Sequence, residues 1–216
     1  MKKLIQNPLP AFFATLGLIA LLSLLGPQEK SLGPSVRIVY LHGAWVLAAE
    51  AAFICAALAG ALGLLAARVN VLASRQSAFY DWSTALGRTG IVFWVTYLPL
   101  SLWAMQANWN GLFLAEPRFR LALTFAVVGL LLQVGLWLFN ISWVTAWGNI
   151  LFISALLYTF SNADYVMHPP PSPIFNSGIS SVILFFLGLI ALAGLAAWFL
   201  TRSWLALARN QNEKSS

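Results

Sequence analysis

The chain contains two histidines, and their side chains are the groups best suited to binding an iron-containing ligand. His42 stands in "VYLHGAWV", where a long apolar run begins, and His168 stands in "YVMHPPPSP", ahead of the last apolar run. Neutral imidazole is a common axial ligand of haem iron, and imidazoles from two separate helix ends can close on opposite faces of the planar ring. The alternative for each histidine is a helix-end residue that is hydrogen-bonded to backbone or water. The sequence permits a histidine pair and leaves both interpretations open.

Zinc suits these histidines less well, because zinc sites normally use three or four protein ligands. Carboxylates near them are scarce: Glu29, Glu116 and Asp164. The single cysteine, Cys55, lies within an apolar run and is expected to be a small buried residue. Because the chain has no CxxC or CxxCH motif, neither thiol redox chemistry nor covalent haem attachment is expected.

A proline-rich run follows the second histidine. Prolines occupy positions 169, 170, 171 and 173, directly after His168. Proline forbids a regular helix and favours a stiff, extended path. We therefore expect a semi-rigid strap that carries His168, with an ordinary proline-rich loop as the alternative.

The segment "NWNGLFLAEPRFR" is unusually apolar for a loop and ends in charged residues. Trp109 and Phe113 can contact a flat apolar ligand or lie at a membrane interface. Arg118 follows them, and arginine can pair bidentately with a carboxylate such as a haem propionate. The alternative is an interfacial segment with ordinary flanking charges.

Glu50 is an ionisable residue inside an apolar run. It lies eight residues after His42, about two helical turns further on and on the same helix face. An ionisable group within a span is costly and by default suggests a function. Glu50 can pair with another span, line a polar cavity or be a hydrogen-bonded packing residue.

The composition indicates an integral membrane protein. Of the 216 residues, 60% are hydrophobic and only 8% are charged, whereas soluble domains carry about 25% charged residues. So few charges cannot cover a water-facing surface. The net charge of +6 comes from basic residues at the ends of apolar runs, which is the pattern of membrane topology and not of nucleic-acid binding.

Six apolar runs are long enough for spanning helices, which need about 20 mostly apolar residues. They predict an all-α, polytopic membrane bundle that forms a single domain over 1–216. The predicted spans are about 11–26, 38–67, 90–106, 121–139, 142–160 and 179–201. The first run favours an uncleaved span over a signal peptide, and the second, about 45 Å long, should tilt or protrude. "FNIS" is the only polar break within 121–160 and predicts a tight hairpin.

An even number of spans puts both termini on one side, and the basic residues favour the cytoplasm for that side. Eight basic residues then lie inside and four outside, in agreement with the positive-inside rule. The inner ones are Lys2, Lys3, Arg68, Arg75, Arg88, Arg202, Arg209 and Lys214, and the outer ones are Lys30, Arg37, Arg118 and Arg120. This orientation brings both histidines and the aromatic loop to the outer face.

Three segments resemble the CcmC family, the haem-handling membrane proteins of bacterial cytochrome c maturation. "VRIVYLHGAWV" resembles the family stretch R-I-M-Y-I-H-V-P-A-A-W, and "WNGLFLAEPR" aligns without a gap to its tryptophan-rich signature W-G-x-W-W-x-W-D-x-R. "MHPPPSPIFNSGISSVILFF" is similar to the second histidine loop that leads into the last helix. The order of spans, histidines and loop agrees over nearly the whole chain.

The tryptophan signature is degenerate in this chain. Trp109 and Arg118 are kept, and Glu116 stands where the family has aspartate. The other three tryptophan positions hold Leu112, Phe113 and Ala115. A planar apolar surface is therefore only partly retained.

The resemblance implies a protein that binds and delivers haem at the outer membrane face, and that is not an enzyme. His42 and His168 would ligate the iron of a haem b that is held non-covalently, either stably or transiently. Trp109 and Phe113 would contact the ring, and Glu116 and Arg118 would complete the site, with Arg120 or Arg37 as other propionate partners. The resemblance also implies a multi-pass protein of the bacterial inner membrane, with a periplasmic haem chaperone and other cytochrome c maturation subunits as partners.

A second hypothesis follows from the lost tryptophans. The chain would then be a haem-free structural or accessory subunit of a larger membrane complex, built on the same scaffold. Its aromatic outer loop would serve as a docking surface.

Overall fold

The structure is a computed structural model that describes residues 8–29, 32–164 and 174–215, with side chains described as far as residue 210. Within these ranges the regular structure is helical, apart from one isolated bridge between Glu29 and Gly33. The helices are α1 (Pro8–Leu24), α2 (Val36–Ala66), α3 (Asn70–Ala73), α4 (Gln76–Trp109), α5 (Pro117–Phe139), α6 (Ser142–Ser161) and α7 (Ser180–Ser215), with a short 3-10 helix at Phe175–Ser177. The predicted all-helical fold class is confirmed for the described chain.

Five helices in the described ranges are long and apolar enough to cross a membrane, namely α2, α4, α5, α6 and α7. Helix α1 is also apolar, but its 17 residues extend only about 25 Å, somewhat less than a hydrocarbon core of about 30 Å. The chain is therefore a helical, multi-pass membrane protein. A crossing by α1 and a cytoplasmic position for the termini stay predictions.

Two helices are longer than the apolar runs that predicted them. Helix α4 begins at Gln76 rather than near Gly90, and α7 continues to Ser215. The added turns contain polar residues such as Asp81 and Arg209. Hydropathy excludes such residues from a span, but a helix readily includes them where it leaves the membrane.

The turn between α5 and α6 consists of Asn140 and Ile141 alone. Asn140 has a φ of 49°, and its N–H donates to the carbonyl oxygen of Leu136 at 3.0 Å. Asparagine enters this left-handed conformation more readily than most residues and therefore ends helices well. The tight hairpin predicted at "FNIS" is confirmed.

Helix α2 is central and packs against α1, α4, α6 and α7. Its buried positions are mostly alanine and glycine. A Cβ added to Gly60 would lie 3.0 Å from the Cα of Ala146 on α6, and one added to Gly63 would overlap the ring of Tyr80 on α4. Small residues allow the close backbone approach on which helix association in membranes depends. The packing of α2 therefore fixes the position of His42.

The face of α2 that points away from its neighbours is apolar and exposed. Leu58 and Leu62 lie on this face, and Cys55 is exposed there as well. The expectation that Cys55 is buried is wrong, because alanine and glycine occupy the packed face of α2. Exposed apolar side chains of this kind suit contact with lipid.

Candidate functional site

Helix α2 begins and α4 ends at the same end of the bundle, which we call the His42 end. Near the end of α4, the amide of Asn108 donates to the carbonyl oxygen of Ser35, just before α2, at 3.4 Å. The Nε of Arg37 donates to the carbonyl oxygen of Gly26 at 2.9 Å and ties α2 to the α1–α2 connection. The first turns of α2 are therefore held from two sides.

His42 lies in the second turn of α2 and is half-buried. Its ring centroid is 5.4 Å from that of Tyr97 on α4, with an angle of 44° between the ring planes. Tyr97 is buried and packs edge-on against Trp94 at 5.0 Å. His42 is therefore held by aromatic packing between two helices, with part of its side chain still accessible.

An open apolar groove of about 290 Å³ lies on the neighbouring face of α2. Its walls include Arg37, Ile38 and Leu41 of α2 and Trp103 of α4. Leu41 directly precedes His42, and the indole of Trp103 is 60% exposed. The groove therefore combines an apolar floor, an exposed indole and a guanidinium, and it lies beside the turn of α2 that carries His42, although His42 is not among its lining residues. Such a combination suits an amphipathic ligand with an acidic edge.

Glu116 begins α5 as its N-cap. Its Oε2 accepts the N–H of Phe119 at 2.7 Å, and Pro117 occupies the first turn, which is the favoured place for proline in a helix. The side chain is only 4% exposed. Its Oε1 is buried and accepts no hydrogen bond from the described residues. Glu116 acts electrostatically on the hydroxyl of Tyr97, so the start of α5 lies beside the middle of α4.

Charges from two helices meet around Tyr97. Arg118, in the first turn of α5, lies near enough to Glu50 on α2 to interact with it electrostatically. Glu50 also acts on the Tyr97 hydroxyl. We call His42, Glu50, Tyr97, Glu116 and Arg118 the Tyr97 cluster. An arginine on another helix lowers the cost of an intramembrane glutamate near it.

The aromatic loop lies apart from the Tyr97 cluster. Trp109 ends α4, twelve residues after Tyr97, which corresponds to about 18 Å along the helix axis. Phe113 is 42% exposed, and its apolar neighbours Leu112 and Leu114 are exposed by more than half. The structure thus brings His42, Glu116 and Arg118 together but leaves Trp109 and Phe113 at the rim.

His168 lies outside the described residues, as does the proline run. The described chain resumes at Ile174, which is buried in the core. Next to it, Phe175 contacts Phe186 at 5.4 Å between ring centroids, and a Cβ on Gly43 would lie 3.0 Å from the same Phe186 ring. The chain is therefore anchored beside His42 only six residues after His168, and six residues can span at most about 20 Å.

The histidine, cysteine and carboxylate side chains of the described chain can be compared with what a bound metal ion requires. Among the described residues, no group of three or more histidine, cysteine, aspartate or glutamate side chains could hold a metal ion. Haem iron needs one or two protein ligands, and the imidazole of His42 can supply one of them. Arg37 lines the groove, so it is the better placed partner for a propionate there.

Two residues of this site were not predicted as part of it. Tyr97 and Trp103 lie in an apolar run that contains many aromatic residues, so their sequence context resembles that of ordinary core or interface residues. Only the register of α4 against α2 places Tyr97 on His42 and Trp103 in the groove. Arg37, an alternative propionate partner from the sequence, is drawn into the groove by its bond to Gly26.

Comparison of the chain with family models, curated proteins and solved structures finds no match in any of the three. The resemblance to the CcmC family therefore stays a prediction that depends on the three quoted segments.

Proposed function

We propose that the protein binds haem b non-covalently at the His42 end of the bundle and delivers it during cytochrome c maturation. The observation that carries this proposal is the position of His42. Its half-buried imidazole packs on Tyr97, the preceding residue Leu41 lines an apolar groove that contains Arg37, and the described chain resumes at a buried anchor six residues after the second histidine.

In this proposal His42 supplies one axial ligand, and its packing against Tyr97 holds the imidazole in one orientation. Trp103 and the groove receive one edge of the ring, while Arg37 pairs with a propionate. Trp109 and Phe113 cover the part of the ring that extends beyond the groove. His168 is the predicted second ligand. The protein positions the haem and performs no bond-making step of its own.

The setting that we propose is the bacterial inner membrane, with the His42 end on the periplasmic side. The apolar helices support a bilayer environment, and the distribution of lysine and arginine supports this orientation. The partners would be a periplasmic haem chaperone and other membrane subunits of the maturation pathway.

The test is an absorption spectrum of the detergent-purified protein after expression with ample haem. We expect a Soret band that is lost in His42→Gly and regained when free imidazole is added, because imidazole can replace the missing ligand. Tyr158→Phe is a suitable control, since Tyr158 is 73% exposed and does not line the groove. A colourless wild-type protein would exclude the proposal. Loss of the band in His168→Gly would support the second ligand.

A haem-free accessory subunit is the second candidate function. The exposed side chains of Leu112, Phe113 and Leu114 favour it, because an apolar loop at the membrane rim can dock on another membrane subunit. It predicts stable co-purification with other subunits that is unaffected when both histidines are replaced. Loss of the complex in the double histidine variant would contradict it.

A further inference from the structure

A polar recess opens at the end of the bundle opposite His42, between α4 and the α5–α6 hairpin. Its volume is about 30 Å³, roughly twice what one water molecule requires. Its walls include Thr84 and Arg88 of α4, Gln133 and Trp137 of α5, and Ser142 and Thr145 of α6. None of the lining residues is acidic. We call this feature the Arg88 recess.

Arg88 is the cation of the recess. Its guanidinium carbon lies 5.9 Å from the ring centroid of Trp204 on α7, so one face is covered by an indole. Asp81, the acidic residue closest to Arg88 in sequence, interacts electrostatically with Arg209. No salt bridge is recorded for Arg88 within the described part of the chain. A half-buried guanidinium with an indole on one face is well suited to an anion on its open side.

A buried N–H donor and a helix N-terminus lie near the guanidinium. The Nε1–H of Trp204 is buried and has no acceptor among the described residues. Helix α6 begins at Ser142, and its N-cap Ile141 offers no side-chain acceptor to the N–H groups of the first turn. The hydroxyl of Thr145 is committed to the carbonyl oxygen of Ile141. The positive end of the α6 dipole and Arg88 therefore act on the same recess.

The recess lies at the level of a membrane interface rather than in the hydrocarbon. Trp137 and Trp143 flank the α5–α6 hairpin and are 62% and 57% exposed, as is typical of the indole belts found at lipid headgroups. Basic pockets between spanning helices at such an interface bind anionic lipid headgroups. The position of the recess therefore favours a ligand that is present in membranes.

We propose that the Arg88 recess binds the phosphate group of an anionic membrane lipid, with Arg88 as the anchoring residue. The phosphate oxygens accept from the guanidinium and face the first turn of α6. The acyl chains extend along the exposed apolar surface of α5, where Leu131 and Val134 are 67% and 43% exposed. This site is separate from the His42 end and does not depend on haem binding.

The test is native mass spectrometry of the delipidated protein, titrated with phosphatidylglycerol, phosphatidylcholine or inorganic phosphate. We expect Arg88→Gln to weaken phosphatidylglycerol binding about tenfold, because a charge-assisted hydrogen bond is lost. Arg202→Gln is a matched control. Its guanidinium also lies 5.9 Å from a tryptophan ring, that of Trp198, but it does not line the recess. We expect that variant to stay within about twofold of the wild type.

Arg88→Lys is a second variant for the case in which Arg88→Gln fails to fold. Lysine keeps the positive charge and lacks only the planar guanidinium. Binding by this variant between those of the wild type and Arg88→Gln would support the proposal. Equal losses in Arg88→Gln and Arg202→Gln would overturn it, since they would indicate general charge attraction. Equal binding of phosphatidylglycerol and phosphatidylcholine by the wild type would also overturn it. Displacement of the lipid by an equal concentration of inorganic phosphate would assign the recess to free phosphate and refute a lipid ligand.

Discussion

The two ends of the bundle contain buried polar groups of different kinds. At the His42 end, the ionisable side chains of Glu50 and Arg118 come from different helices and interact electrostatically. Near the Arg88 recess, neutral groups form a closed network. The amide of Asn149 donates to the carbonyl oxygen of Ser83 at 3.0 Å, and Gln133 donates to the side-chain oxygen of Asn149 at 2.9 Å.

The difference separates a neutral network that serves packing from a cluster of ionisable groups that packing does not require. The neutral network links α4, α5 and α6 with short hydrogen bonds, and such a network fixes helix register. The Tyr97 cluster does not need charges for packing, yet it keeps them and leaves one buried oxygen of Glu116 without a donor among the described residues. Charged groups within a span are costly, so their presence beside His42 favours a functional role.

Breaking the charge pair should have the largest effect on stability. Arg118→Leu leaves the Glu50 carboxylate without its guanidinium, and we expect the free energy of unfolding to fall by about 2–3 kcal/mol. Glu50→Gln in the same chain should restore part of the loss, because no uncompensated charge remains. Denaturant unfolding in detergent micelles measures both values. Strictly additive effects of the two substitutions would show that the residues do not interact.

Crowding the packed face of α2 tests helix packing at the other end of the bundle, where the Arg88 recess lies. In Gly60→Val the new side chain meets the backbone of Ala146, which cannot move without shifting α6. We expect a loss of about 2 kcal/mol in unfolding free energy. Gly194→Ala is the control, since a Cβ there has no neighbour within 4 Å and alanine favours the helix. A loss in Gly194→Ala equal to that in Gly60→Val would refute this explanation.

Breaking the neutral network should lower the free energy of unfolding by less than either change above. Asn149→Leu removes the link among α4, α5 and α6, and we expect a loss of about 1 kcal/mol. The loss should be nearly the same in Gln133→Leu combined with Asn149→Leu, because both substitutions break one network. Thermal unfolding followed by circular dichroism is a sufficient measurement. A double variant with twice the loss of the single variant would mean that the two amides act separately.

Removing one hydroxyl from the Tyr97 cluster should have the smallest effect. Tyr97→Phe keeps the ring that packs on His42 and Trp94, so we expect a change below about 1 kcal/mol. The same variant should keep any Soret band of the wild type. Loss of the band would show that the hydroxyl, and not only the ring, positions His42.

The periodic and compositional features of the chain were predictable. The hairpin at Asn140 and the cores of the long helices follow from apolar runs broken by a residue that accepts a positive φ. The ends of α4 and α7 were not predicted correctly. Hydropathy marks where an apolar run stops, whereas a helix can continue beyond that point into water. The burial assigned to Cys55 failed for a related reason: an all-round apolar helix gives no sign of which face its neighbours cover.

The candidate site was only partly predictable. His42, Glu50 and Arg118 stood out because each residue type is rare in an apolar context. Tyr97 and Trp103 are common types in such a context, and only packing distinguishes them from their neighbours. A short sequence segment also cannot show that Arg37 enters a groove and Arg118 lies near Glu50, since both are arginines predicted at the same membrane face.

The sequence by itself determined that this is a helical membrane protein, where its long helices lie and which few side chains can bind a ligand. These properties depend on hydrophobicity and residue type, which each segment carries locally. Only the tertiary structure decided which of those side chains meet, because the register of α2 against α4 is set by close packing that includes small residues such as Gly63 and Gly90. That register places an imidazole, a carboxylate and a guanidinium around one buried tyrosine.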